Sequence, residues 1–308
     1  MILSCGEALI DMLPRTTTSD EAAFVPCAGG AVFNTAVALG RLGAPSAFLS
    51  GLSTDLFGRM LTGALDASHV DTALAIRSDR PTTLAFVTLT NGQASYAFYD
   101  EMTAGRMITQ SDLPPLPATV EALFFGGISL VVEPCGATYE TLMTRAAKSG
   151  RVTMIDPNIR PSFIKDEDTY RARIHRLLAM ADIVKLSDED LFWLAGRHSL
   201  ASGAQTVLDR GPKLVFITEG AAGAHAFTPG RSVFVAARQV KVVDTVGAGD
   251  TFNAGALAAL HRAGALQKPA LADLSEEVLG KALTLATRAA AITVSRAGAN
   301  PPWAEEVA

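Results

Sequence analysis

Short apolar segments alternate with longer segments of helical periodicity along most of this chain. This alternation is typical of a parallel β-sheet whose strands are connected by helices. The predicted strands are Ile2–Cys5, Ser46–Leu49, Leu123–Phe125, Val152–Ile155, Ile183–Leu186 and Leu214–Thr218. The predicted helices are Ala31–Arg41, Tyr139–Lys148, Asp188–Ala195, Gly249–Arg262 and Glu276–Val294. The pattern therefore predicts an α/β fold with a mainly parallel sheet.

Two β-rich stretches interrupt this alternation. Thr82–Thr90 and Ala94–Asp100 flank Asn91-Gly92, a dipeptide typical of two-residue hairpin turns. The segment Asp11–Phe24, directly after the first strand, is also β-like. We expect these stretches to form a small β-sheet lid over one edge of the α/β body, made of residues 11–28 and 82–106.

Length and linkers predict a single domain. The chain has 308 residues, of which 49% are hydrophobic, so a sizeable core can be buried. No Pro-rich or Ser-rich linker is long enough to separate two domains, and residues 1–308 are therefore predicted to form one unit. Late in the chain, Ala224–Thr228 and Val233–Val243 are predicted to pair as antiparallel strands.

Charge and cysteine content exclude several functional classes. Lys and Arg number 26 against 31 Asp and Glu, which gives a net charge of −5. This mild acidity disfavours binding to nucleic acid or to a membrane surface, since both require basic patches. Cys5, Cys27 and Cys135 show no paired spacing, which favours a reducing compartment. The N terminus does not resemble a signal peptide, and no apolar stretch reaches the roughly 18 residues that span a bilayer, so we expect a cytoplasmic protein.

The segment Asp244–Asp250 is the first candidate for a reaction centre. Its turn Gly247-Ala248-Gly249 follows a β-rich run, Gln239–Val243, and opens a predicted helix. N–H groups at a helix start have no internal partners and carry the positive end of the helix dipole. Such a site suits a phosphate or a transferring phosphoryl group, with Asp250 beside it as a base. A lone Gly-x-Gly-Asp, however, is more often an ordinary helix start.

A second candidate site precedes the first predicted helix. Gly29 and Gly30 allow a ligand to approach the backbone closely. Asn34 lies one turn into the helix, where its amide can donate to and accept from a polyol. Taken alone, this pattern fits a turn followed by a solvated Asn as well as it fits a binding site.

Together the two motifs resemble the signatures of the ribokinase-like (PfkB-type) sugar kinases. The N-terminal signature matches Gly29–Gly43, and the C-terminal one matches Asp244–Gly255. The opening Gly6–Asp11 and the expected lid also fit, so the resemblance covers essentially the whole chain. The opening and the string Asp156–Arg160 are most similar to bacterial fructokinases. The resemblance implies a ribokinase-like three-layer αβα body with a mainly parallel sheet and a small β-sheet lid.

The resemblance also implies roles for individual residues around the sugar. Asp250 looks like the catalytic base, next to an anion hole formed by the backbone of Gly247, Ala248 and Gly249. The positions that match sugar-binding residues of the family are Asp11, Gly29, Gly30 and Asn34. Arg106 follows the lid and is expected either to reach the substrate or the phosphates or to lie at the surface.

ATP is implied as the phosphoryl donor, with Mg²⁺ to neutralise phosphate charge. Thr218–Gly223 matches the family's Thr-x-Gly-x-x-Gly loop, and Arg160 is expected to meet the phosphates or to form a salt bridge. A monovalent cation such as K⁺ is implied as well. The implied nucleotide-binding residues are Asn158, Arg160, Ser187, Thr218, Gly220, Gly223 and Thr287. The implied metal-binding residues are Asp244, Thr245, Ser295, Ala299 and Asp190.

The sequence departs from the family's pattern at two places. The family often has an Asn and a Glu, three residues apart, near the magnesium and the phosphates. Ser187 stands in place of that Asn and Asp190 in place of that Glu, so acidity is retained while the amide is lost. Thr287 stands where some relatives have an Asn near the adenine.

The predicted function is transfer of the ATP γ-phosphoryl group to a primary hydroxyl of a small sugar, with fructose expected first. A 2-keto-3-deoxygluconate kinase is the close alternative, because Arg106 or Arg160 could meet the carboxylate of a sugar acid. A nucleoside kinase ranks third. A non-catalytic sugar or nucleotide sensor would have lost the base, and Asp250 is present. A Rossmann dehydrogenase is disfavoured, since no Gly-x-Gly-x-x-Gly follows the first strand.

The expected lid also bears on the assembly of the protein. An exposed β-sheet lid has unpaired edges, and such edges favour pairing with another chain. The sequence therefore leaves open a homodimer formed through the lid.

Overall fold

The computed structural model describes residues 1–90 and 93–307 of an α/β protein. The predicted hairpin turn Asn91-Gly92 lies outside these residues. The strands are β1 (Ile2–Cys5), β2 (Leu9–Thr16), β3 (Ala22–Gly29), β4 (Ser46–Leu49), β5 (Gly51–Ser53), β6 (Val70–Asp71), β7 (Ile76–Ser78), β8 (Thr83–Thr90), β9 (Gln93–Tyr99), β10 (Ala122–Gly126), β11 (Val152–Asp156), β12 (Ile183–Ser187), β13 (Leu214–Thr218), β14 (Gly223–Thr228) and β15 (Arg231–Ala236).

The helices connect the strands and begin, in several cases, at a capping side chain. Asp55 and Ser275 each accept the backbone N–H of the third residue of the helix that follows. The α-helices are α1 (Ala31–Arg41), α2 (Leu56–Ala67), α3 (Cys135–Lys148), α4 (Glu167–Met180), α5 (Asp188–Ala195), α6 (Leu200–Leu208), α7 (Ala248–Arg262), α8 (Lys268–Leu271) and α9 (Glu276–Val294). None of these described helices is both long and apolar enough to cross a membrane.

The large sheet has the order β15-β14-β13-β12-β11-β10-β1-β4-β6. All its neighbouring strands run parallel except the β13–β14 and β14–β15 pairs, which are antiparallel. Buried parallel strands read as continuous apolar runs because both faces are covered, which is why these segments stand out in the sequence. The predicted mainly parallel sheet is confirmed.

Two hydrophobic cores lie on opposite faces of this sheet. Alternate residues of each strand enter different cores: Ile2 joins the core with α1, α7 and α9, whereas Leu3 joins the core with α3, α4 and α6. On β10, Phe124 joins the same core as Ile2, and Phe125 joins the same core as Leu3. The predicted three-layer αβα body is therefore confirmed.

A separate four-stranded sheet has the order β3-β2-β8-β9. It is antiparallel except between β2 and β8, which are parallel. Its strands overlap the stretches predicted to be β-rich, although β2 begins earlier, at Leu9, and β3 ends later, at Gly29. Its outer strands are β3 and β9. We call this sheet the small sheet.

The predicted antiparallel pairing of Ala224–Thr228 with Val233–Val243 is confirmed only in part. β14 pairs with β15 as expected, but β15 ends at Ala236. The predictions of a strand extending to Val243 and of a β-rich run over Gln239–Val243 are wrong. This segment lines a cavity instead, through Arg238, Gln239, Val240 and Val242. Its apolar side chains therefore lie against the cavity rather than in a sheet.

The contact between α7 and α9 depends on a residue without a side chain. A Cβ atom added to Gly255 would lie 2.6 Å from the Cα and 3.0 Å from the backbone N of Ala286. Backbone atoms cannot move aside as a flexible side chain can, so α7 approaches α9 only because this position is Gly.

We expect Gly255→Ala to destabilise the protein by about 1–3 kcal/mol through this overlap. Gly280 on α9 is a matched control, because a Cβ atom there meets nothing within 4 Å. Gly280→Ala should stabilise the protein by about 0.5–1 kcal/mol, since Ala loses less backbone entropy in a helix. Urea denaturation of both variants measures the difference, and equal changes in unfolding free energy would contradict close packing at Gly255.

Candidate active site

The N terminus of α7 lies where β11 and β12 end, at the edge of the sheet that usually binds ligands in α/β folds. Gly247 precedes the helix with a φ of 79°, a left-handed conformation that favours Gly. In the described part of the chain, the backbone N–H groups of Gly247, Gly249 and Asp250 have no protein acceptor. These three donors are available to an anion. The set differs from the predicted one, Gly247, Ala248 and Gly249, because the N–H of Ala248 donates to the backbone oxygen of Thr245 at 3.4 Å.

Asp250 is buried in the first turn of α7. Its Oδ2 accepts a hydrogen bond from Asn34 Nδ2 at 2.9 Å. The Thr35 hydroxyl donates to the backbone oxygen of Asp250 at 3.3 Å. The structure thus brings together the proposed base and a proposed sugar ligand that are 216 positions apart in the sequence.

The proton affinity of Asp250 follows from its surroundings. Burial raises the pKa of this carboxyl to about 7. The hydrogen bond from Asn34 and the charge of Lys185 lower the pKa, whereas the charges of Asp156 and Glu7 raise it. A carboxyl that titrates near neutral pH suits a general base, because it is available without a proton yet accepts one readily.

Sequence reasoning missed a buried polar network behind α7. Lys185 Nζ donates to Asp156 Oδ2 at 3.0 Å, and Asn253 Nδ2 donates to the same oxygen at 2.7 Å. Asn253 lies one turn after Asp250 on α7. The signal in the sequence that could have indicated this network is the single charged residue, Lys185, within the otherwise apolar strand Ile183–Leu186.

Glu7 is a second residue that sequence reasoning missed. Its buried carboxylate accepts the N–H of Val32 at 3.4 Å and that of Ser129 at 3.3 Å. Its backbone oxygen accepts the N–H of Phe33 at 3.2 Å. Gly30 has no side chain to cap α1, so Glu7 supplies the acceptors that this helix start needs. Burial raises the pKa of Glu7.

A cavity of about 340 Å³ lies beside the N terminus of α7. One wall is the loop between β13 and β14, which carries Gly220 and Gly223 with φ values of 52° and 138°. Apolar residues of α7 and α9, among them Phe252 and Val294, form another wall. The predicted site residues that line this cavity are Thr218, Gly220, Gly223, Thr245, Ala248, Gly249 and Thr287.

The hydroxyls of Thr287 and Ser187 both form hydrogen bonds within the protein. The Thr287 hydroxyl donates to the backbone oxygen of Leu283 at 2.8 Å, which leaves it free only as an acceptor. Ser187 Oγ accepts the N–H of Asp190, and Asp190 Oδ2 accepts the N–H of Ser187, so the two residues form a capping box at the start of α5.

Both carboxylate oxygens of Asp190 accept hydrogen bonds from backbone N–H groups. Besides capping α5, its Oδ1 accepts the N–H of Ile159 at 3.0 Å, which ties α5 to the loop after β11. Burial raises the pKa of Asp190. Within residues 1–90 and 93–307 there is no cluster of three or more His, Cys, Asp or Glu side chains that could hold a metal ion.

The loop after β11 carries Asn158 and Arg160. Asn158 has a φ of 46°, and its N–H donates to Asp156 Oδ1 at 3.1 Å. The Arg160 side chain is exposed and donates to the backbone oxygen of its neighbour Ile159. Its guanidinium has further donors, so the position expected to meet phosphates remains able to do so.

The two segments predicted to hold a monovalent cation lie against each other. Asp244 Oδ1 accepts the N–H of Val246, and its Oδ2 accepts the N–H of Gly298 at 2.9 Å. A Cβ atom added to Gly247 would lie 2.8 Å from the Cβ of Ala299. The loop that contains Asp244 and Thr245 is thus joined to the loop that contains Ser295 and Ala299.

The small sheet places Asp11 next to Gly29. β2 and β3 are paired with Asp11 opposite Cys27, and any side chain at Gly29 would overlap the Asp11 carboxylate. Burial raises the pKa of Asp11 to about 6. Gly30 then leads directly into α1, with Asn34 one turn further on. The predicted sugar-binding residues therefore follow one continuous path from the small sheet to Asp250.

Arg106 is engaged in an ion pair. Its Nη1 donates to Asp100 Oδ1 at 3.0 Å, and its Nε donates to the backbone oxygen of Glu133 at 3.1 Å. The guanidinium of Arg106 has further N–H donors, so its predicted role at the substrate or the phosphates stays a prediction.

The fold and these motifs agree with the comparison of the whole chain with known proteins. Residues 1–306 match the pfkB family of carbohydrate kinases. The chain belongs to this family. This finding confirms the family predicted from Gly29–Gly43 and Asp244–Gly255.

Individual relatives support the assignment. This kinase is 57% identical over 281 residues to a fructokinase of Rhizobium leguminosarum bv. trifolii, covering 91% of this chain and 85% of that protein. It superimposes on the crystal structure of a fructokinase with bound ATP from Xylella fastidiosa with a TM-score of 0.88 at 31% identity, covering 99% and 96% of the two chains. A fructokinase double mutant from Vibrio cholerae O395 in fructose, ADP and potassium ion bound form gives a TM-score of 0.85 at 27% identity, covering 97% and 93%.

Burial of Asp250 also makes the stability of the protein depend on pH. The pKa of Asp250 is about 7 in the folded state, against an ordinary value of 3.8. The protonated carboxyl therefore contributes its full stability below about pH 4, and this contribution is lost progressively as pH rises from about 4 through 7. Asn has no proton to lose. We therefore expect Asp250→Asn to stabilise the protein by roughly 2–4 kcal/mol at pH 8 and by much less at pH 5.

Urea denaturation at the two pH values measures this effect. Asp66→Asn, which removes a carboxyl at an exposed position on α2, is the control. A stability difference for Asp250→Asn that is the same at pH 5 and pH 8 would show that the native carboxyl is not held protonated by burial.

Proposed function

We propose that this kinase transfers the γ-phosphoryl group of ATP to a primary hydroxyl of fructose. The observation that carries the proposal is the buried Asp250, hydrogen bonded to Asn34, beside unpaired N–H groups at the start of α7. These are the parts that the reaction needs: a base for the hydroxyl proton and donors for the phosphoryl charge. The 57% identity to a fructokinase supports fructose as the acceptor.

The chemical step follows from this arrangement. Asp250 takes the proton of the sugar hydroxyl while that oxygen forms a bond to the γ-phosphorus. The bond from the γ-phosphorus to the bridging β–γ oxygen breaks, and ADP leaves with the electron pair. The free N–H groups of Gly247 and Gly249 stabilise the negative charge on the oxygens of the phosphoryl group during transfer.

ATP is proposed to occupy the cavity between the β13–β14 loop and α9. The cavity has apolar walls that suit the nucleotide base of ATP, and it opens at the N terminus of α7, which would receive the phosphates. The ATP-bound relative from Xylella fastidiosa supports this placement. Gly220 and Gly223 keep the loop backbone open to the ligand, and Arg160 is proposed to reach the phosphates.

The cations are proposed to accompany the nucleotide. Mg²⁺ usually keeps several waters and binds through substrate phosphates and one or two carboxylates. Asp190 fits a water-mediated role, since each of its oxygens accepts one backbone N–H and keeps a further lone pair. A K⁺ site between the Asp244–Thr245 and Ser295–Ala299 loops is supported by their contact and by the potassium-bound relative.

The sugar is proposed to bind between Asp250 and the small sheet, in contact with Asp11, Gly29, Gly30 and Asn34. We infer that residues 11–28 and 82–106 act as a lid on a single domain. Closure over the sugar would exclude water from the phosphoryl group and so limit hydrolysis of ATP. The ion pair of Arg106 with Asp100 favours a neutral sugar over a sugar acid, because its charge is already compensated.

The substrate is tested by measuring ATP consumption with fructose, 2-keto-3-deoxygluconate, ribose and adenosine. We expect the highest kcat/KM with fructose. A higher value with 2-keto-3-deoxygluconate would instead assign a sugar acid, and the absence of turnover with all four would reject the proposed substrate class.

The role of Asp250 is tested by the substitution that should stabilise the fold. Asp250→Asn removes the base while retaining its shape, so we expect kcat to fall by at least about 10³-fold. Affinities for ATP and fructose, measured by calorimetry, should change by less than about fivefold. Near-normal turnover would assign the proton transfer to another group.

We further propose that two chains pair through the lid. Phe24, Phe86 and Tyr99 form a row of edge-to-face ring contacts on the small sheet, and Phe24 and Tyr99 are 43% and 62% exposed. β3 and β9 are the outer strands of this sheet and offer further edges for pairing.

Sedimentation velocity tests this assembly. The native protein should sediment as a dimer, and Phe24→Glu should shift it to a monomer. Phe234→Glu is the matched control, since Phe234 is 49% exposed on β15 at the far edge of the large sheet, and this variant should stay dimeric. A native monomer at micromolar concentration would reject the dimer.

A further inference from the structure

A positive charge is buried directly behind the N terminus of α7. Lys185 on β12 is 4% exposed, and its Nζ lies 3.0 Å from Asp156 Oδ2. A Cβ atom added to Gly249 would lie 3.1 Å from the same Nζ. The ammonium group is therefore adjacent to the backbone of the second residue of α7, and Gly at this position leaves room for it.

Neighbouring side chains fix this ammonium group in place. Asn253 Nδ2 donates to Asp156 Oδ2 at 2.7 Å, and the N–H of Asn158 donates to Asp156 Oδ1 at 3.1 Å. Asp156 and Asn253 are both buried. Since Asn253 belongs to α7, the network holds Lys185 at a constant position relative to Asp250.

The lysine stays charged despite its burial. Burial lowers the pKa of Lys185, but the carboxylates of Asp156, Asp190 and Asp250 more than compensate, so the pKa is raised overall. A buried ion pair is a weak source of stability, because desolvation of the two charges offsets their attraction. A buried, charged lysine at this place therefore calls for a functional explanation.

We propose that Lys185 supplies a fixed positive charge to the phosphoryl group during transfer, acting through the N-terminal end of α7, and that Asp156 and Asn253 hold the charge in position. This inference rests on the proposed kinase reaction. A helix terminus contributes about half an elementary charge. The ammonium group, although paired with Asp156, adds the positive end of a fixed dipole next to that terminus, without reorganisation during the step. Lys185 is a positioning residue in this account, since its contacts are with the protein.

The same charge acts on the base. The groups that face Asp250 are Asn34, Lys185, Asp156 and Glu7. Lys185 lowers the pKa of Asp250 and Asp156 raises it. Removal of the lysine and removal of the aspartate should therefore displace the pH dependence of the reaction in opposite directions, which a general loosening of the site would not do.

The main test compares Lys185→Met with the native enzyme. We expect kcat to fall by about 10²-fold, while KM for fructose changes by less than about threefold. The acid limb of kcat/KM should move up by about one pH unit, because Asp250 holds its proton more tightly without the ammonium. Asp156→Asn should move the same limb down.

Lys268→Met is the matched control. Lys268 forms an ion pair with Asp182, which precedes β12 at the opposite edge of the sheet. Loss of this pair should lower the melting temperature but leave kcat and the acid limb unchanged. If Lys185→Met does not fold, Lys185→Gln is measured in the same way.

Calorimetry gives a readout that is independent of the sugar. Lys185→Met should weaken binding of a non-hydrolysable ATP analogue about tenfold and that of ADP by less than about threefold, since the charge faces the terminal phosphate. Equal losses for both nucleotides, an unchanged kcat, or displacement of the acid limb in the same direction by Lys185→Met and Asp156→Asn would overturn the inference. If native enzyme prefers another sugar, the proposed substrate fails, while the same comparison with that sugar still tests Lys185.

Discussion

Burial of one carboxyl group, that of Asp250, constrains most of the site around it. A carboxylate removed from water needs donors and nearby positive charge, and these come from different parts of the chain. Asn34 on α1 donates to the carboxylate, and the positive charge of Lys185 on β12 acts on it. The packing of α1 on α7, and of α7 on α9 through Gly255, is what keeps water out. The raised pKa of Asp250, which suits the proposed base, is the chemical result of that burial.

The body and the small sheet contribute different things to catalysis. The parallel strands are buried on both faces, so the groups at their carboxyl ends, such as Asp156 and Lys185, are held by a rigid framework. The small sheet ends in the outer strands β3 and β9, and it exposes the aromatic residues Phe24 and Tyr99. The cavity proposed for ATP adjoins the rigid part, whereas Asp11, which is proposed to bind the sugar, belongs to the small sheet.

Sequence patterns predicted the fold well where local and long-range signals agree. The apolar strands Ile2–Cys5 and Ser46–Leu49 have the bounds that were predicted, because burial on both faces leaves a clear run. The extension to Val243 was wrong, since an apolar side chain that lines a cavity looks the same in sequence as one that lines a sheet. The start of α3 at Cys135 lies four residues before the predicted one, where Gly136 weakens the helical pattern.

For the site, the sequence predicted residues that belong to motifs. It did not predict the buried residues that lie next to those motifs in the folded protein. Asp250 and Asn34 were identified, although only the structure shows their hydrogen bond, because no local pattern encodes a contact across 216 positions. Glu7 and Lys185 were not identified, since each lies in a strand or turn whose apolar neighbours suggest a purely structural segment. The capping role of Asp190 depends on the position of Ile159, which sequence alone does not give.

The connection between the small sheet and α1 has a consequence for how this enzyme can change. β3 ends at Gly29 and α1 begins at Ala31, so the single residue Gly30 joins the sheet to the helix that carries Asn34. With the sugar bound as proposed, a mutation that reshapes the sheet for a different sugar should also move the start of α1 and alter the hydrogen bond to Asp250. Evolution of a new sugar preference by this route should therefore carry with it a change in the acidity range over which the enzyme works, and compensating substitutions are expected around Glu7 and Gly30.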